Sequence, residues 1–219
     1  MPGERGLRSI TSGDFFPDGT GRAFVRHERG DSISNIEAVR GSIFAMPLTT
    51  PRELFVHELS DAMSAEQQIL KMLPELQKEA LNHELQEALK THEEETQQQV
   101  RNLQEVFRQL GETPEATTCY AVQGLAEEHK ALHKEQPSPE ILEMANLGGA
   151  AKTEHYEMAM YTALVQMAKD LGETDAAQLL QDNLDQEKEM AVRVETLARE
   201  LGKLQTQHAM MAGAPGGRR

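Results

Sequence analysis

The sequence predicts an all-α protein: a four-helix bundle made of two antiparallel hairpins joined by a long, partly helical crossover. Three observations carry this expectation. Aromatic residues are only 4% of the chain and Trp is absent, while Ala, Leu, Glu, Gln and Met dominate its middle; that is the composition of long helices, not of sheets. Apolar residues recur every three to four positions over four long stretches, the period of helices with one buried face. Short turns separate these stretches in pairs, at Leu81 and Asn82 and again at Gly172.

The first helix is expected from about residue 52 to 80, capped by Thr49 or Thr50 with Pro51 in its first turn. Its stripe is Phe55, Leu59, Ala62, position 66, Ile69, Leu73, Leu76 and Ala80, and Pro74 should kink it. The second runs from about 83 to 110, with Leu85, Ala88, Leu89, positions 92 and 95, Leu103, Val106 and Leu110 on one face and Gly111 as the stop. Residues 112 to 137 form the crossover, with a shorter amphipathic piece around Cys119, Val122, Leu125, Ala126 and Leu132. The third helix runs from about 138 to 171, with Leu147, Ala151, positions 154 and 157, Met158, Tyr161, Val165 and Ala168 in its stripe. The fourth, from about 174 to 201, lines up Ala177, Leu180, Leu184, position 187, Ala191, Val194, Ala198 and Leu201. The domain organisation is then a flexible N-terminal arm over 1–50, the bundle over 51–204 and a flexible C-terminal tail over 205–219.

Bulk properties narrow the function. With 36 Asp and Glu against 22 Lys and Arg, the formal net charge is −14, which excludes a protein that coats nucleic-acid phosphates. The single cysteine, Cys119, rules out an intrachain disulfide framework and fits a reducing compartment. No apolar run approaches the ~18 residues of a membrane helix, and the N-terminus lacks an apolar segment of signal-peptide type. A cytoplasmic protein without membrane or nucleic-acid partners is expected.

Each apolar stripe is interrupted near its middle, and the interrupting residues are Glu66, His92 with Glu95, Glu154 with Glu157, and Glu187. A carboxylate aimed into a core is costly unless it is paired or holds a metal. Glu66 lies about 15 residues before the first hairpin turn and Glu95 about 13 after it, so a rise of ~1.5 Å per residue sets them level. Glu157 and Glu187 stand about 15 residues either side of the second turn. A long crossover places the two turns at opposite ends of the bundle, and the four interruptions then meet at its centre. Carboxylates and a histidine from four helices at mid-bundle are the arrangement that holds two iron ions, or two manganese ions.

The segment from about 53 to 204 resembles the YciE/YciF stress-protein family of ferritin-like bundles. The resemblance rests on LFVHELSDAMSAEQQILKMLPEL, THEEET at 91–96, KTEHYEMAMY, and LDQEK at 184–188. It implies a ferritin-like four-helix bundle, a role in stress responses and a di-metal centre. Matched motif by motif, Glu66 is the first-helix ligand, Glu95 the second-helix bridge, Glu157 the third-helix counterpart and Glu187 the fourth-helix bridge. His92 and Glu154 are then terminal ligands. The chain departs from the Glu-x-x-His pattern of ferritin-like di-iron proteins: Gln98 follows Glu95 at that spacing, Met190 follows Glu187, and His92 precedes its glutamate.

Other residues read as structural. His129 and His133 have the four-residue spacing of a zinc-binding helix, but without the acid of HExxH they read as a solvent-facing pair. His155 falls at the flank of its helix, and Tyr161 and the methionines of EMAMY read as core. Two functions are consistent with this reading: a di-iron or di-manganese protein of stress defence that oxidises ferrous iron or reduces peroxide, or a metal-free helical protein that acts by association under stress. Nothing after Leu204 has the apolar period of the extra helix used by large ferritin cages, so a homodimer is expected.

Overall fold

The structure is a computed structural model, and it describes residues 48–213. Residues 1–47, nearly all of the expected N-terminal arm, and the last six residues lie outside the described residues. Five helices follow in order: α1 (Pro51–Glu79), α2 (His83–Leu110), α3 (Tyr120–Lys134), α4 (Pro139–Asp170) and α5 (Thr174–Gly213). No strand occurs among the described residues. The fold is the expected all-α bundle, with α1–α2 and α4–α5 as hairpins and α3 within the crossover.

Local chemistry sets the helix ends. Thr50 caps α1 in a capping box: its side chain accepts from the Glu53 amide while the Glu53 carboxylate accepts from the Thr50 amide, satisfying donors that the first turn leaves free. Asn82 caps α2 and Ser138 caps α4 more simply, each side chain accepting from an amide three residues on. Gly111 and Gly172 stop α2 and α4 in the left-handed region, at φ 68° and 77°, where a side chain is strained. α1 continues through Pro74 to Glu79. α5 is longer than its apolar stripe requires: it runs on to Gly213 where a tail was expected.

Two sets of contacts order the bundle. At one end Arg52, in the first turn of α1, donates to the carbonyl of Leu110 at the end of α2 (2.7 Å) and to Glu173 in the α4–α5 turn (3.1 Å). At the other end the buried Glu143, in the first turns of α4, accepts from the amides of Leu81 and Asn82 in the α1–α2 turn (2.8 and 2.6 Å). The hairpin turns therefore lie at opposite ends, and the middles of the four long helices coincide.

The core comes in two blocks. One gathers Phe55, Leu59, Leu103, Val106, Leu164 and Leu180 at the Arg52 end. The other gathers Ile69, Leu73, Leu85, Leu89, Leu147 and Val194 at the Glu143 end. Between them lies a layer of buried polar side chains.

Candidate metal centre

The layer contains Glu66 from α1, His92 and Gln99 from α2, Glu154 and Glu157 from α4, and Asn183 and Glu187 from α5, each 2% exposed or less. Their positions follow from helical period. Glu154 and Glu157 are three residues apart and project from adjacent turns of α4. Glu66 continues the row Ala62–Glu66–Ile69, and Glu187 the row Leu184–Glu187–Ala191, all buried. The apolar neighbours above and below thus drive each carboxyl inward, because turning it to water would expose them.

Four of the predicted residues converge closely. One ligand atom each from His92, Glu154, Glu157 and Glu187 lies within 4.8 Å of every other. His92 Nε2 stands 3.5 Å from Glu154 Oε1. Glu66, Glu154 and Glu157 all stand close enough to Glu187 to be affected by its charge. With Glu66 from α1, the buried acids and His92 come from all four long helices.

Glu95 differs from expectation. Its side chain is 30% exposed and its Oε2 is 4.0 Å from His92 Nδ1, so it stands at the rim of the layer. The reason lies in the rotation of α2, whose inward row is His92, Thr96, Gln99 and Leu103; position 95 falls about 60° to the side of His92. At the next inward turn the helix offers Gln99, whose amide donates to Glu187 Oε1.

Electrostatics follow from this crowding. Burial, reinforced by the charge of Glu187, holds the carboxyls of Glu66, Glu154 and Glu157 well above the usual carboxylate range. Burial raises Glu187 itself to about 7. Burial also depresses His92 to about 4, so its imidazole is neutral at pH 7, the form that binds metals. Burial first, and then the neighbouring Glu66 carboxylate, push the Tyr161 phenol well above its ordinary value, so it stays a donor.

One flank of the layer is firmly braced. Tyr161 donates its hydroxyl to Glu66 Oε1, Asn183 donates to Tyr161 Oη (3.1 Å), and Asn102 donates to Asn183 Oδ1 (2.7 Å). Sequence reasoning placed Tyr161 in the core and passed over Gln99, Asn102 and Asn183. Their signal was present: polar residues at inward positions, with Gln99 and Asn183 one turn, and Asn102 two turns, from a predicted ligand of the same helix. His155, expected at the flank of its helix, is exposed, with Nδ1 2.9 Å from the Ala151 carbonyl oxygen. His129 and His133, read as solvent-facing, instead both reach Glu79 of α1.

The donor set fits a metal. With the carboxyls ionised, Glu66 Oε2, Glu154 Oε2, Glu187 Oε2, both oxygens of Glu157 and both nitrogens of His92 are buried without a hydrogen-bond partner. Buried polar atoms are ordinarily paired, and these carboxylate oxygens, with one nitrogen of the neutral His92 imidazole, are lone-pair donors of the type that iron and manganese accept. A cavity of about 360 Å³ between α1, α2, α3 and α4 reaches this layer, ending on His92 and Glu154 and walled by Ile69, Leu73, Leu89, Leu125 and Leu132.

Fold and site define a class, a four-helix bundle with a buried carboxylate–histidine layer at its centre. Within that class the chain belongs to the family described as Domain of unknown function (DUF892), which it matches over residues 50–207. It is 33% identical over 154 residues to Protein YciF of Escherichia coli (strain K12), spanning 70% of this chain and 93% of that protein. Superposition on the crystal structure of the E. coli stress protein YciF gives a TM-score of 0.68 at 32% identity, over 71% of this chain and 99% of the other. YcfI from Rhodopseudomonas palustris is similar to the same degree: TM-score 0.67, 36% identity, 70% of this chain and 98% of its own.

Proposed function

We propose that the protein is a cytoplasmic, ferritin-like di-metal protein of the stress response, which binds two iron or manganese ions in the mid-bundle layer. The supporting observation is the set of unpartnered buried lone pairs on Glu66, His92, Glu154, Glu157 and Glu187. Likeness to the E. coli stress protein YciF supports the physiological setting. His92, Glu154, Glu157 and Glu187 would hold the ions most directly, with Glu66 completing the α1 side and Glu95 assisting from the rim.

The bound ions would supply redox and Lewis-acid chemistry, fitting oxidation of ferrous iron or reduction of a peroxide. The chain's own residues set the conditions. Tyr161 and Gln99 hold Glu66 and Glu187 in place by donating to one oxygen of each, which leaves the other oxygen free. The two apolar blocks keep bulk water out of the layer, and the cavity ending on His92 and Glu154 admits a small oxidant from one side.

Anaerobic loading of metal-stripped protein with ferrous iron or manganese tests this reading. About two ions per chain are expected, and Glu187→Gln should lose most of them. Stoichiometry near zero in the wild-type protein would overturn the di-metal reading and favour a metal-free role in protein association.

A further inference from the structure

Away from the mid-bundle layer, at the Glu143 end of the bundle, three side chains from two helices point at one another. His129 and His133 share one face of α3, four residues apart, and both present Nε2 to the carboxylate of Glu79, the last residue of α1. His129 Nε2 is 2.9 Å from Glu79 Oε2, His133 Nε2 is 2.8 Å from Glu79 Oε1, and the two Nε2 atoms are 3.3 Å apart. Asn146 of α4 donates to Glu79 Oε2 (2.7 Å) and fixes the carboxylate from behind.

We propose that Glu79, His129 and His133 form a second, separate metal site for a borderline divalent cation of the zinc type. The spacing carries the argument. With metal–nitrogen bonds of ~2.0–2.1 Å, two imidazole nitrogens at the tetrahedral angle lie ~3.3–3.4 Å apart, which is the separation found here. Two imidazoles and one carboxylate are the donor set of three-ligand zinc sites, in which the fourth position takes water. The surroundings also favour a cation. α1 ends at Glu79 and α3 ends at Lys134, so the negative ends of two helix dipoles face the site. The donors differ from those of the central layer, where oxygen predominates; the cavity that reaches His92 and Glu154 is also lined by His129 and Asn146. At this site His133 is 40% exposed, so an ion can enter from solvent without opening the bundle. A bound ion would pin the crossover helix α3 to the end of α1.

Cobalt(II) and zinc titrations of the metal-stripped full chain test the site independently of the central one. Wild type should bind one cobalt ion with the intense visible absorption of four-coordinate Co(II), and zinc should displace it. His133→Ala and His129→Gln should lose that absorption and that one equivalent, while circular dichroism shows the fold intact. Glu187→Gln should keep both, which separates this site from the mid-bundle centre. Absence of the four-coordinate spectrum in wild type, or its persistence in His133→Ala, would overturn the proposal.

Discussion

A carboxyl at the position of Glu66, 0% exposed beside Glu157 and Glu187, sacrifices stability when no cation is bound. Taking such a charge from water costs several kcal/mol, and the fold answers by keeping the group protonated. Replacing it by a neutral side chain removes the conflict. Glu66→Gln retains an acceptor for the Tyr161 hydroxyl, whereas Glu66→Leu would orphan that donor at a cost of about 1 kcal/mol. Metal-stripped Glu66→Gln should therefore be more stable than wild type by ~1–3 kcal/mol at pH 7. It should also lose much of the further stabilisation that manganese confers on the wild-type fold, because an ion stabilises only the state that binds it. Thermal melts of both proteins with and without manganese measure the two effects. A destabilised apo variant with an unchanged metal response would remove Glu66 from the site.

Among the elements, the hairpin turns do the positioning. Glu187 meets Glu157 because the α4–α5 turn is short and stops sharply at Gly172, with φ of 77°. A Cβ placed there meets nothing within 4 Å, so the cost of Gly172→Ala is that of the left-handed backbone alone, ~1–2 kcal/mol. Urea denaturation should show this loss with an unchanged m-value, and metal stoichiometry should stay the same. A larger loss, or a changed m-value, would mean that the turn refolds and shifts the register. The rotation of α2 matters as much as its register. It places Gln99 inward and Glu95 at the rim, and so leaves the α2 contribution to the centre mainly to His92.

Across the whole molecule, the layer ties stability to pH. Glu66, Glu154, Glu157 and Glu187 keep protons in the folded state at pH values where the unfolded chain has released them. The folded apo protein then binds more protons than the unfolded chain, so its stability falls as pH rises from ~4.5, the unfolded carboxyl range, to about 7, the value for Glu187. His92 acts in the opposite sense. Its folded value of about 4 lies below the ordinary 6.5, so its contribution is lost as pH falls through that interval. Four carboxyls outweigh one imidazole. The apo protein should melt at a higher temperature near pH 5 than near pH 7, and the difference should shrink in Glu187→Gln. Metal reverses the trend, since binding displaces those protons: manganese should raise the melting temperature more at pH 7 than at pH 5. Calorimetry at the two pH values, with and without manganese, checks both signs.

Much of this architecture was legible in the residues. The 3.6-residue apolar period predicted the four long helices, and cap residues such as Thr50, Gly111 and Gly172 predicted their ends, because both signals are local and survive without tertiary context. The equal spacing of Glu66, Glu157 and Glu187 from their turns also predicted that they meet, since rise per residue and turn length are constants of helical chains. Rotation about each helix axis is different. A stripe defines its inward direction only to within one residue's width, and packing against three neighbours decides whether Glu95 or Gln99 completes the layer. Contacts between elements far apart in sequence are likewise invisible to any local period. Nothing in EEHKALH says that His129 and His133 face Glu79, 50 residues earlier; only the docking of α3 against the end of α1 brings the three together.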